Sequence, residues 1–320
     1  MNRFQDLIGQ PQAIELLQQA IAHNRIAPAY LFAGPSGIGK SLAAKAFAEE
    51  LLAFNLTTEQ QERVKRRFFA GNHPDLLWVS PTYQHQGKLL TAKEAEESGL
   101  KRKAPPLIRI EQIREIGQFL SRPPLEASRA VIVLEEAQSM NEGAANALLK
   151  TLEEPGKATL VLIAPSVDAL LPTLVSRCQR IPFYRLSLSA MEQVLTKTGQ
   201  QEILTYPQLL AIAQGSLGEA IAALEQLQAI PENLRQLLTQ TPTNARQALE
   251  IAKTIDKDLD TQVQLWLVDY LQYSYWQQAA NPKQLKILEK AKQYLLAYVQ
   301  PRLVWECTLL SLLETKESKK

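Results

Sequence analysis

Gly34-Pro35-Ser36-Gly37-Ile38-Gly39-Lys40-Ser41 places three glycines, a lysine and a hydroxyl within eight positions. Such a run can bind phosphate. Glycines let backbone N–H groups turn toward an anion, an ammonium reaches the outer phosphate oxygens, and a serine hydroxyl suits hydrated Mg²⁺. Every fixed position of the phosphate loop GxxxxGK[ST] is filled, which makes ATP or ADP with Mg²⁺ the expected ligand. Hydrolysis would need a second acidic site at the end of a neighbouring apolar strand. Glu135 and Glu136 follow Ala130-Val131-Ile132-Val133-Leu134 in that place. Glu135 is the candidate to hold Mg²⁺ together with Ser41, and Glu136 the candidate to orient water. The usual residue at the first of these positions is Asp, so the longer Glu135 side chain displaces its carboxylate by about 1 Å, which chemistry tolerates poorly. Binding with little turnover is the expectation.

A phosphate loop works only between a strand and a helix. Ala29-Tyr30-Leu31-Phe32-Ala33, bounded by Pro28 and Gly34-Pro35, reads as a buried strand, and 40–54 reads as a helix. The alternation continues with strands at 76–79, 130–134 and 159–163 and helices at 11–23, 111–121 and 141–153. Strands alternating with helices predict an α/β domain with a parallel sheet covered on both faces. The polar stretch 82–106, with Lys101-Arg102-Lys103 and Pro105-Pro106, reads as an exposed, mobile insertion. After Pro182 strand signals fade, and Gly215, Gly218, Pro231, Pro242, Pro282 and Pro301 punctuate leucine- and alanine-rich stretches. The expected division is a P-loop domain at 1–184, a small helical domain at 185–230 and a larger helical domain at 231–320, with the terminal Ser-Lys-Lys frayed.

Composition excludes several classes. Apolar residues at 46% and charged residues at 21% suit an ordinary globular core rather than a disordered or fibrous chain. Two distant cysteines, Cys178 and Cys307, rule out a disulfide framework and a four-cysteine zinc module, and point to a reducing cytoplasm. The polar N-terminus and the lack of a long apolar stretch argue against export or membrane insertion. With 35 Lys and Arg against 33 Asp and Glu, any nucleic-acid contact must come from a local patch.

Several motifs together resemble the delta-prime clamp-loader subunits of bacterial DNA polymerase III, a branch of the AAA+ superfamily related to gamma/tau. They are Ile8-Gly9-Gln10, the phosphate loop, Asn72-His73-Pro74-Asp75-Leu76, Ile110-Glu111-Gln112-Ile113-Arg114, the run from Ala144 to Pro155 (AANALLKTLEEP), and Leu171-Pro172-Thr173 leading into Ser176-Arg177-Cys178. The resemblance covers residues 4 to about 183. It implies an AAA+ core, a helical lid and a helical collar that holds five subunits in a ring. The implied partners are gamma/tau and delta, the sliding clamp and primer-template DNA. It also implies that Arg177 acts in trans as an arginine finger on a neighbour's nucleotide.

Three departures from the family pattern bear on turnover. Gly218 stands where active members carry a lid arginine, Ala164-Pro165 replaces a polar sensor, and Glu135 replaces Asp. They favour an accessory, weakly hydrolysing subunit over the alternative, an active gamma/tau-like motor or helicase loader, which the intact loop and Glu136 support. The zinc module of many relatives is missing, since 55–75 contains no cysteine. His73 reads as a turn residue and Cys178 as a small core hydrophobe. Trp266, Tyr270, Tyr273 and Trp276, at helical spacing, suit a core or a subunit interface. Arg109 and Arg114, around Glu111 at a helix start, offer phosphate contacts.

Overall fold

The computed structural model describes residues 3–85, 87–98, 105–238 and 240–317. It divides into two compact units, Met1–Gln193 and Val194–Lys320. In chain order the first holds α1 (Pro11–Ala22), β1 (Ala29–Ala33), α2 (Lys40–Leu52), α3 (Thr58–Phe69), β2 (Leu76–Val79), β3 (Tyr83–His85), β4 (Lys88–Leu90) and α4 (Ala92–Glu97). It continues with α5 (Ile110–Leu120), β5 (Ala130–Leu134), α6 (Glu142–Glu153), β6 (Ala158–Ala164), α7 (Pro172–Val175), β7 (Gln179–Pro182) and α8 (Leu188–Lys197), which runs on into the second unit.

Five of these strands form a parallel sheet in the order β2-β5-β6-β1-β7. Parallel pairing puts all their C-terminal ends on one edge: Ala33 lies beside Ala164, and Val79 beside Leu134. The central strands are buried on both faces, which is why they read as unbroken apolar runs. Alternate residues serve opposite cores. Tyr30, Phe32, Val131, Val133 and Val161 pack with Leu17, Phe47, Leu51 and Phe68 from α1 to α3. Leu31, Ile132, Leu134, Leu160 and Leu162 pack with Ile113, Ile116, Leu148 and Leu174 from α5 to α7.

The insertion at 82–106 carries regular structure in its described residues. Tyr83 pairs with Leu90 in an antiparallel hairpin, and Thr82 and Leu107 exchange backbone hydrogen bonds. α4 follows, started by a reciprocal cap in which Glu94 N–H donates to Thr91 Oγ1 at 3.3 Å and Thr91 N–H donates to Glu94 Oε2 at 2.7 Å. The expectations for Lys101-Arg102-Lys103 and for the terminal Ser-Lys-Lys fall outside the described residues. Two further elements were not anticipated. The polar α3 is capped by Thr57 and Gln60 and buries only Val64 and Phe68, and β7 is a short edge strand with one buried residue, Ile181.

The second unit is helical: α9 (Pro207–Ala213), α10 (Leu217–Ala229), α11 (Glu232–Leu238), α12 (Ala245–Asp258), α13 (Thr261–Ala279), α14 (Pro282–Leu296) and α15 (Pro301–Glu317). Its main core gathers Leu234, Ile251, Ile255, Leu267, Leu271, Leu288 and Leu309 around the fully buried Trp305, whose indole N–H donates to Gln264 Oε1 at 2.9 Å. A smaller cluster joins Leu209, Ala223 and Leu227. Trp266 and Tyr270 stack at 5.4 Å and pack against both. Tyr273 and Trp276 line an open cavity of about 790 Å³, and Trp276 is 42% exposed.

Candidate functional site

The phosphate loop leaves β1 and enters α2. Gly37 and Gly39 lie in the left-handed region, at φ 69° and 98°, where a side chain would be strained. Gly34 is constrained differently, since a Cβ there would stand 2.3 Å from the carbonyl oxygen of Phe183. Gly39 is the N-cap of α2 and has no side chain to cap the first helical N–H groups, which leaves them for an anion.

Lys40 is 7% exposed. Its ammonium donates to the carbonyl of Gly34 at 2.5 Å and to that of Pro35, and no carboxylate of the described residues forms an ion pair with it. Burial pushes its pKa down to about 8. A buried cation without a counter-charge is costly, and a phosphate would compensate it. The loop residues therefore fit a nucleotide phosphate group. Ser41, next on α2, is half-buried.

The end of β5 lies on the same sheet edge. Glu135 is half-buried, and its Oε2 accepts from Ser80 Oγ at 3.1 Å, the residue following β2. Glu136 is exposed and left-handed, at φ 48°. Directly beside the loop, Ala164 is buried and its carbonyl accepts from Gly34 N–H at 3.3 Å, while neither Ala164 nor Pro165 has a side-chain donor. Gly218 lies in the first turn of α10, whose N-cap Ser216 accepts from Glu219 N–H at 3.1 Å.

Arg177 follows α7 on the surface. Its Nη1 donates to the carbonyl of Thr173 at 3.0 Å and its Nη2 to Glu153 Oε1 at 2.9 Å, so the guanidinium is held at the ends of α7 and α6. Cys178, beside it, packs on the second core face, and burial pushes its thiol up to about 11. His73 is buried, and its Nδ1 accepts from Asp75 N–H at 3.1 Å. Burial also lowers its pKa. Among the described residues no group of three or more His, Cys, Asp or Glu side chains is placed to hold a metal ion.

Two residues have roles at this edge that spacing alone did not indicate. Ser80 is the polar residue ending an apolar strand, and that position is the signal that could have found it. Gln10 appeared only within a matching motif, yet its buried carboxamide bonds both the phosphate loop and the connector after β7. Its placement just before the helix-starting Pro11 gives no hint of that reach.

Two family models cover nearly the whole described chain. Residues 9–187 match the one for the delta subunit of DNA polymerase III, and residues 189–312 match that for the C-terminal domain of cyanobacterial DNA polymerase III delta prime. The chain belongs to the delta-prime family of DNA polymerase III. It is 33% identical over 216 residues to DNA polymerase III subunit delta' of Bacillus subtilis, a match covering 66% of this chain and 58% of that protein. With the subunit delta' of Pseudomonas aeruginosa identity is 32% over 229 residues, covering 67% of this chain and 62% of the relative. The chain thus spans about three-fifths of these delta-prime relatives. A gamma subunit-related protein of DNA polymerase III from Thermotoga maritima shares the fold, with a TM-score of 0.50 at 16% identity, covering 93% of this chain and 98% of that one. The chain is accordingly a P-loop α/β core with a parallel sheet, followed by a helical region. Among the described residues no helix is long and apolar enough to cross a membrane.

Proposed function

We propose that this delta-prime chain is an accessory subunit of a clamp loader, one member of a ring with gamma/tau and delta subunits that helps place the sliding clamp on primer-template DNA in the cytoplasm. On this reading residues 1–184 form the AAA+ domain, 185–230 the lid and 231–320 the collar. The loop Gly34–Ser41 holds ATP or ADP, with Lys40 on the outer phosphate oxygens and Ser41, with Glu135, toward Mg²⁺. A bound nucleotide supplies the phosphate oxygens that compensate the Lys40 ammonium. The chain itself turns nucleotide over slowly. Arg177 serves the neighbouring subunit: on assembly its guanidinium exchanges Glu153, an exposed partner worth at most about 1 kcal/mol, for charge on that neighbour's nucleotide.

The observation that carries the accessory reading is the combination at the sheet edge of a complete phosphate loop with Ala164-Pro165, which offers no side-chain donor beside it. The test is calorimetric titration of the isolated chain with MgADP and MgATP, followed by steady-state ATPase measurement. Binding with negligible turnover is expected. Robust hydrolysis abolished by Lys40→Ala would favour the motor reading, which the exposed Glu136 beside the loop's sheet edge supports.

A further inference from the structure

We propose that Gln10 is the positioning residue of the phosphate loop: its carboxamide fixes the peptide plane between Ile38 and Gly39 for nucleotide binding and locks that plane to the connector after β7. The inference rests on the reading of Gly34–Ser41 as a nucleotide site.

Gln10 is 2% exposed and lies 28 residues before Ile38 and 174 before Tyr184. Its Nε2 donates to Ile38 O at 3.2 Å and to Tyr184 O at 2.7 Å, and its Oε1 accepts from Tyr184 N–H at 3.1 Å. Only one orientation of the amide satisfies all three, because the Tyr184 N–H must face the oxygen. Both amide hydrogens are therefore spent, one on each chain segment.

The bond to Ile38 matters most for the site. A trans peptide points its N–H away from its C=O, so holding the Ile38 carbonyl on Gln10 turns the Gly39 N–H in the opposite direction. Gly39 adopts φ 98°, a conformation that the glycine permits but does not select. The Gln10 hydrogen bond supplies that selection. In a free loop of glycines this plane would flip among several states, and ordering it on binding would cost conformational entropy.

The connector contacts show that the arrangement is built around close approach. Phe183 N–H donates to Ala33 O at 2.8 Å. A Cβ on Gly34 would meet the Phe183 carbonyl, and one on Gly9, itself at φ 79°, would stand 2.5 Å from Leu186 Cδ2. Gly34 thus admits Phe183 against the loop and Gly9 admits Leu186 beside Gln10, which fastens the connector there.

The test uses the full chain and two substitutions. Gln10→Met keeps the length and removes every hydrogen bond. Gln10→Glu keeps an acceptor for Tyr184 N–H and removes the donors to the Ile38 and Tyr184 carbonyls. MgADP affinity is measured by calorimetry, and hydrogen exchange at the Tyr184 amide by NMR. Both variants should bind about tenfold more weakly, the effect assigned to the bond to Ile38, which both lose and whose acceptor is left unsatisfied. Exchange at Tyr184 should accelerate in Gln10→Met and stay slow in Gln10→Glu while affinity falls in both, whereas a merely structural role through the connector would make affinity follow exchange. If the wild type binds MgADP and both variants bind as tightly, the positioning role is wrong while the nucleotide site stands. Normal binding by Gln10→Glu with a loss confined to Gln10→Met would also overturn it, by assigning the effect to the connector. If the wild type itself fails to bind, the nucleotide reading falls and this inference with it. Should Gln10→Met not fold, Gln10→Glu alone decides the question.

Discussion

At the residue scale, the site turns on charges that the fold buries and then partners incompletely. Lys40 is the clearest case. Its pKa lies near 8 when folded against 10.5 in the unfolded chain, with burial as the cause. Between those values the unfolded state binds more protons, so stability rises with pH across that window. The stability of wild type relative to Lys40→Met, from urea denaturation, should therefore climb by up to about 3 kcal/mol between about pH 8 and pH 10.5. A difference independent of pH would contradict the burial. Asp75 shows the opposite solution. It is 2% exposed, and its carboxylate accepts from the backbone N–H groups of Leu125, Glu126 and Ala127 at 2.6, 2.8 and 2.7 Å. The Asn72-His73-Pro74-Asp75 motif is thereby explained as a knot that ties the α5–β5 loop to the start of β2. Asp75→Ala should cost about 3 kcal/mol or more, read as a shift in the denaturation midpoint, because it strands three donors at once.

At the scale of elements, what the sequence disclosed depended on how each segment meets its neighbours. β1, β5 and β6 are covered on both faces, so their whole length is apolar and their positions were readable. β7 has a single buried residue at the sheet's edge, and a run such as Gln179-Arg180-Ile181-Pro182 carries almost no strand signal. The hairpin β3–β4 is short and mostly exposed, and α4 beside it betrays itself only through Thr91 and Glu94. The phosphate loop was legible because its chemistry dictates residue types in a fixed local pattern. The Gln10 clamp was not, since its partners are backbone atoms, which leave no mark on sequence. In the helical unit the helical character could be anticipated from its Gly and Pro punctuation, but which residue is central could not. Trp305 turns out to be that residue, with no exposed surface and a hydrogen bond to Gln264. Trp305→Ala should destabilise the second unit by about 3–5 kcal/mol, while Trp305→Phe, which retains most of the volume, should cost markedly less. Equal losses from the two would show that packing around the ring is not what holds α15 in place.

At the scale of the whole molecule, two units with separate cores divide the work. The first carries the phosphate loop and the surface arginine, and the second is a bundle with exposed aromatics such as Tyr298, 93% exposed, and Tyr294. A net charge of only +2 over 320 residues gives the chain little long-range attraction for DNA, which suits a subunit that meets DNA as part of an assembly. The central claim is that this chain completes a neighbour's site rather than running its own. Arg177→Ala tests it most directly, in a loader reconstituted from all its subunits, with equal incorporation verified by gel filtration. The expected result is a normal complex with reduced DNA- and clamp-stimulated ATPase and reduced clamp loading. An arginine finger is worth about 10³ to 10⁵ in rate at the one site it serves, so the ring, which keeps its other sites, should lose less. Arg177→Lys should rescue poorly, because a point charge does not reproduce the planar fork. Unchanged ATPase and clamp loading in the Arg177→Ala complex would contradict the claim and leave Arg177 as a surface residue bonded to Glu153 and Thr173.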